Sequence, residues 1–277
     1  MIAVEPFGAR LRAAIEGCGP LCVGVDPHAS LLREWGLPDS PEGLDRFAMT
    51  VVEALAGQVA VLKPQSAFFE RHGSRGIAVL ERTITAAHDA GALVLLDAKR
   101  GDIGSTVEAY AQAYLHPLSP LAVDAVTASP YLGFESLRPL YDTAVRHGGG
   151  VFVLTYTSNP EGAAVQRATG PDGRAVGAAI LDAIAAENEG AARLGSIGAV
   201  VGATVEAVDY DFAKLNGPIL APGFGAQGGT ATRIRRLFAG ATANVLPSSS
   251  REILHHGPSV AALRSAAVRA SADISTG

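Results

Sequence analysis

Lysine is scarce in this chain: of 22 basic residues only Lys63, Lys99 and Lys214 are lysines, and the other 19 are arginines. A guanidinium stays protonated in proteins, whereas an ammonium can give up a proton at a reachable pKa. Each lysine therefore asks what arginine could not do there. In Asp97-Ala98-Lys99-Arg100-Gly101-Asp102, residues two apart on an extended chain share a face, so Asp97 and Lys99 point one way while Ala98 and Arg100 point the other. Lys63 on a neighbouring strand could flank Asp97, and Asp102 follows Gly101, where the chain can turn. A Lys-Asp-Lys-Asp alternation would let partly buried charges satisfy one another. By spacing alone, this is either an ion-pair network closing one end of the fold or a site that works by electrostatics and proton delivery.

The elements that must position these groups are legible as alternation. Short apolar runs at Leu21–Val25, Val59–Lys63, Leu93–Asp97, Ala122–Thr127, Val151–Thr155, Ile197–Gly202, Ile219–Pro222 and Asn244–Pro247 predict strands. Segments between them, such as Gly76–Ala90, Thr106–His116 and Ala175–Leu194, carry Ala, Leu and Ile at helical spacing. Eight such alternations, with no Pro/Ser-rich linker, predict α/β class and a single (β/α)8 TIM barrel domain over residues 1–277. Reactive groups of such barrels sit at the C-terminal ends of the strands. Here the runs end in Asp26-Pro27, Lys63-Pro64 and Asp97-Ala98-Lys99. Strand seven leads into Gly223, Gly225, Gly228 and Gly229, whose backbone N–H groups could approach an anion, and strand eight leads into Ser248-Ser249-Ser250-Arg251. Phosphate binding by these two loops is the expectation, with a helix start and the Arg251 fork as its donors.

The stretch Asp97-Ala98-Lys99-Arg100-Gly101-Asp102-Ile103-Gly104-Ser105-Thr106 resembles the signature of the orotidine 5′-phosphate decarboxylase family, in its longer bacterial subgroup. Gly24-Val25-Asp26-Pro27, Lys63-Pro64-Gln65-Ser66-Ala67-Phe68-Phe69-Glu70, Pro130-Tyr131-Leu132-Gly133, Thr157-Ser158-Asn159-Pro160, the segment from Pro222 to Gly229, and Ser249-Ser250-Arg251 match the same family in order. The resemblance implies metal- and cofactor-free decarboxylation of orotidine 5′-monophosphate to UMP and CO2 in de novo pyrimidine synthesis. It implies that Lys99 protonates C6, that Asp97 faces the substrate carboxylate, and that Lys63 contacts the ribose and Asp97. Asp102, acting with Thr106, would reach into the site of a second subunit, making the enzyme a homodimer with shared active sites. Asp26 would bind ribose hydroxyls and Ser158 the pyrimidine. Gln227 and Arg251 would grip the phosphate, with Ser250 beside them where many members have Gly. Lys214 matches no site element and is expected at the surface. Sugar-phosphate relatives that use Mg²⁺ share D-x-K-x-x-D after strand three but lack the Lys63-Pro64-Gln65 and Arg100 to Thr106 context.

Charge and composition agree with a small-molecule enzyme. A formal net charge of −5 argues against a nucleic-acid or anionic-membrane partner, since tracking phosphates needs cationic excess. The start of the chain does not read as a signal peptide and no unbroken apolar run suits a membrane span, so a cytoplasmic protein is expected. Cys18 and Cys22 are too few for a disulfide framework, and no paired His motif suggests a metal site.

Overall fold

The computed structural model describes residues 4–171 and 173–276; residues 1–3, 172 and 277, which the single-domain expectation includes, lie outside the described residues. Strands β1 (Cys22–Val25), β2 (Val61–Pro64), β3 (Leu93–Arg100), β4 (Ala125–Ala128), β5 (Gly150–Tyr156), β6 (Ile197–Val201), β7 (Ile219–Pro222) and β8 (Val245–Ser249) pair in chain order into a closed parallel barrel. Closure is made where Cys22 and Val23 of β1 meet Ser248 and Ser249 of β8. Parallel strands covered on both faces need apolar residues on both faces, which is why each run reads as nearly continuous hydrophobe.

The inner face is filled by one residue from each strand: Cys22, Val61, Leu95, Ala125, Phe152, Val200, Leu220 and Leu246 form a single buried cluster. Phe7 and Leu11, from the helix Phe7–Cys18, join that cluster and close its floor. Phe7 meets Phe152 edge to face with ring centroids 6.0 Å apart. The outer faces, including Val23, Leu62, Val94, Val126, Val151, Ile219 and Val245, pack in a larger cluster with the surrounding helices.

Most boundaries lie within a few residues of expectation, and the differences have local causes. The helix expected over Ala175–Leu194 is Val176–Glu187. It stops at Asn188, whose buried side chain donates to the carbonyls of Ile197 (2.8 Å) and Leu215 (3.1 Å) and accepts from the Ile197 N–H (3.2 Å). The fourth strand begins at Ala125 rather than Ala122 because Asp124 turns its carboxylate to the Val94 N–H (2.8 Å), to His88 and to Arg10. β3 runs three residues past its expected end, through a register irregularity between Leu96 and Arg100.

Because Phe152 is fully buried at the centre of the barrel floor, Phe152→Ala should destabilise the fold by about 3–5 kcal/mol. A lowered urea midpoint with unchanged slope is the expected reading.

Candidate active site

Side chains on a strand return to the same face every second residue, so the layer above the barrel floor is set by the floor itself. Two positions beyond Val61, Leu95 and Ala125 stand Lys63, Asp97 and Thr127; beyond Phe152, Leu220 and Leu246 stand Leu154, Pro222 and Ser248. The apolar floor thus carries a storey that is polar on β2, β3, β4 and β8, and above it opens a cavity of about 510 Å³. That is room for a ligand of nucleotide size.

At its base the Asp97 carboxylate is held from three sides. Oδ2 accepts from Lys63 Nζ at 3.1 Å, and Oδ1 accepts from Lys99 Nζ at 2.6 Å and from the Thr127 hydroxyl at 2.8 Å. Lys63 and Asp97 are 5% and 7% exposed, whereas the Lys99 side chain is 45% exposed and lines the cavity. Burial opposes the charge on Lys63, but the carboxylates of Asp97 and Asp26 outweigh it and raise the ammonium's pKa. Burial likewise pushes Asp97 upward, yet Lys63 and Lys99, with the hydrogen bonds from Lys99 and Thr127, hold it well below the usual carboxylate range. The pair is therefore charged at neutral pH, and the cavity presents an ammonium beside a carboxylate that already accepts three hydrogen bonds.

The rest of the cavity lies toward β1, β7 and β8. Gly24 makes room there: a Cβ on it would lie 2.6 Å from Asp26 Oδ2 and 2.9 Å from Ser250 Oγ. Asp26 Oδ1 and Ser250 Oγ are buried with no hydrogen-bond partner among the described residues, leaving an acceptor and a hydroxyl for a ligand to satisfy. Ser158, Gln227 and Arg251 line the same cavity. His28 and Phe68 meet at 4.3 Å on its wall, and burial together with Arg251 and Arg71 keeps the His28 pKa low against the pull of Asp26.

Two expectations about the phosphate end change. The amides of Gly225, Gly228 and Gly229 bond to carbonyls of their own loop (2.9, 2.8 and 3.0 Å), so these N–H groups do not face the cavity as anion donors. Gly223, Gly225 and Gly228 instead supply positive φ (99°, 78° and 88°), which the turns require. The helix after β8 is a single turn, Arg251–Leu254, so its dipole is small and the Arg251 side chain is the main cationic group at that end.

The alternating array is also shorter than its spacing suggested. Asp102 bonds to the N–H of Ile103 (2.8 Å), and neither it nor Thr106 lines the cavity; the triad Lys63-Asp97-Lys99 is what one chain assembles. The chain turns outward at Gly101, which packs against the Ser129 carbonyl so closely that a Cβ would lie 2.2 Å from it. Lys214 is exposed, as expected, and Cys18 and Cys22 are free thiols. Arg100, on the opposite face of β3, pairs with Glu70 and lies over the Tyr110 ring. The sequence motifs give no role to Thr127 or His28, and they include Gln65, which donates to the Asp97 carbonyl at 3.2 Å, without assigning it one. For Thr127 the signal was present: a hydroxyl at an inward position near a strand end.

A closed parallel barrel whose strand ends converge on a charged cavity defines a (β/α)8 enzyme. The chain belongs to the orotidine 5′-phosphate decarboxylase / HUMPS family, whose model matches residues 19–266. It is 62% identical over 270 residues to an orotidine 5′-phosphate decarboxylase of Salinispora arenicola, covering 98% of this chain and 97% of that one. With the enzyme of the same name from Streptomyces coelicolor it shares 61% identity over 274 residues, covering 99% and 98%. A crystal structure from Streptomyces avermitilis, provisionally assigned the same activity, superposes with a TM-score of 0.94 at 57% identity, covering 99% of this chain and 96% of that one.

Asp97→Asn should lower stability at neutral pH by roughly 3–5 kcal/mol, since it leaves the buried Lys63 ammonium without its hydrogen-bonded counter-charge. Folding depresses the Asp97 pKa, so its contribution is complete above the unfolded carboxyl's value near ~3.9 and is lost as pH falls through the folded value. Denaturation of wild type and variant from neutral pH down to about pH 3 should therefore show the gap narrowing. A constant gap would mean that the fold does not use this charge.

Proposed function

We propose that the chain catalyses decarboxylation of orotidine 5′-monophosphate to UMP and CO2, as one barrel domain that needs neither metal nor organic cofactor. The observation that carries the reading is the Lys63-Asp97-Lys99 triad at the cavity base, with Lys99 the member that reaches open space. Its support is identity above 60% along nearly the whole chain to decarboxylases of that name.

The chemistry needs what the triad offers. When the bond from C6 to the carboxylate breaks, its electron pair stays on C6 in an orbital lying in the ring plane, outside the π system. No ring-delocalised sink is available, so electrostatics and a proton donor already in place must stabilise that pair. Lys99 serves as both: its charge faces the developing carbanion, and its Nζ proton passes to C6 as CO2 departs, leaving a neutral amine that water reprotonates. Asp97 disfavours the substrate carboxylate in the ground state and orients Lys99, and Lys63 balances Asp97 and reaches the ribose. Asp26 accepts from ribose hydroxyls at its buried, otherwise unbonded Oδ1. Ser158 bonds the pyrimidine, and Arg251, Gln227 and Ser250 hold the phosphate. Energy from that remote grip can be spent on assembling the reacting end.

Asp102 and Thr106 complete the site of a second copy in a homodimer. The direction of the chain after Gly101 supports this reading, as do the exposed apolar side chains Ile103 (62%), Tyr131 (79%) and Leu132 (54%) in the loops beyond β3 and β4.

An ultraviolet assay in the presence of EDTA should show loss of orotidine 5′-monophosphate absorbance. Activity abolished by EDTA and restored by Mg²⁺ would instead favour the metal-dependent sugar-phosphate chemistry of relatives. Lys99→Arg should retain charge and lose at least about 10²-fold in kcat, because a guanidinium is a poor proton donor. Mixing and refolding Lys99→Ala with Asp102→Asn should recover activity that neither parent has, since one site in each mixed dimer carries neither change. Recovery no better than either parent would argue against shared sites.

A further inference from the structure

We propose that Thr127 is a positioning residue for the reaction, its hydroxyl tying both ends of Lys99 to one oxygen of Asp97. The inference rests on the decarboxylase reading for its kinetic consequence, while its geometry stands independently.

β3 and β4 pair regularly at Leu95 with Ala125 and at Leu96 with Val126, then resume at Arg100 with Ala128. Between those pairs β3 carries Asp97, Ala98 and Lys99, whereas β4 carries Thr127 alone. A surplus of this kind bends the longer strand and takes its amides out of the ladder. Here the Lys99 N–H goes to a side chain, bonding to Thr127 Oγ1 at 2.9 Å. Lys99 itself has φ +50°, a left-handed conformation that a residue with a Cβ seldom adopts and that persists only where its surroundings enforce it.

The hydroxyl's single proton can be assigned by elimination. Toward the Lys99 N–H the oxygen must accept, so its proton is free for Asp97 Oδ1 at 2.8 Å. That same Oδ1 accepts from Lys99 Nζ at 2.6 Å. The bonds form a closed circuit: Lys99 main chain, Thr127 hydroxyl, Asp97 carboxylate, Lys99 ammonium. Thr127 is 1% exposed and does not line the cavity, so it acts through Lys99 and not on a ligand. Without the hydroxyl, the Lys99 amide and Asp97 Oδ1 each lose a partner, and the bulge is released toward ordinary strand geometry. The ammonium then loses its aim, while Arg251 and Gln227 on the far side of the cavity are untouched.

Thr127→Val keeps the shape and removes the hydroxyl, Thr127→Ser keeps the hydroxyl, and Thr127→Ala removes it without the branched bulk should the valine variant not fold. In steady-state assays of the full chain, T127V or T127A should lower kcat by about 10²-fold with KM within about threefold, as expected for a misplaced reacting group. T127S should stay within about fivefold of wild type in kcat, since the circuit is retained. A hydroxyl-free variant with wild-type kcat, a loss confined to KM, or a serine variant no better than valine would overturn the proposal. With only three lysines, protein labelled with ¹³C at lysine Cε gives three side-chain signals, assignable by substitution. The Lys99 signal should move in T127V and return in T127S, while that of Lys214 stays fixed. If wild type fails to decarboxylate, the functional reading falls and the spectrum still tests Thr127. If wild type turns over but the Lys99 signal is unmoved in T127V, this proposal falls alone.

Discussion

A carboxylate placed inside a protein must be neutralised or paired, and everything at the mouth of this barrel follows from how Asp97 meets that demand. Its two oxygens are met by Lys63 on one and by Lys99 with Thr127 on the other, three of the roughly four acceptor sites of a carboxylate. The arrangement needs compact point charges that fit a narrow interior, and that suits ammonium better than a planar five-donor fork. In a chain that otherwise relies on arginine, this accounts for two of its three lysines. The low-dielectric floor beneath strengthens every one of these contacts, and it would also strengthen their action on a reacting carbon.

That floor is part of the chemistry. A layer of one residue from each strand, capped from below by Phe7 and Leu11, keeps water from the underside of the charged storey. Cys22 belongs to this layer and lies within electrostatic reach of Lys63 and Asp26. Burial pushes its thiol up to about 12 against the opposing pull of Lys63, so it remains a neutral filler. The period of two along each strand then converts an apolar layer into a polar one without any loop having to reach inward. Loops and the single helical turn after β8 contribute on the opposite side, where Asp26, Ser250 and Arg251 line the cavity and positive-φ glycines shape the loop after β7.

Strand order, the parallel barrel and the strand ends bearing Asp26, Lys63, Asp97 and Lys99 were legible in the sequence because they depend on local pattern. Hydrophobic runs, helical spacing and charge at the end of a run are all properties of a few consecutive residues. The motif around Asp97 also pointed to a family that the comparison then established. Less legible was anything requiring two distant segments at once. Asp102 sits in the same motif as Asp97, and spacing alone put it in one array with the lysines, yet it lies off this cavity, beyond a Gly101 pressed against Ser129 of the next loop. The amides of Gly225, Gly228 and Gly229 turn to carbonyls of their own loop, a matter of loop closure that composition does not specify.

By itself, then, the sequence determined the inventory and its periodicity: which residues can carry charge, which strands they terminate, and which face each shares with its neighbours. Only the tertiary structure decided how those groups meet. The bulge in β3 is the clearest case, because alternation alone already placed Lys99 on the face of Asp97, but only pairing with β4 set its backbone at φ +50° and brought Thr127 beneath both. Register between adjacent strands is a property of the closed barrel as a whole, fixed by packing and hydrogen bonding around its circumference, and no single segment contains it.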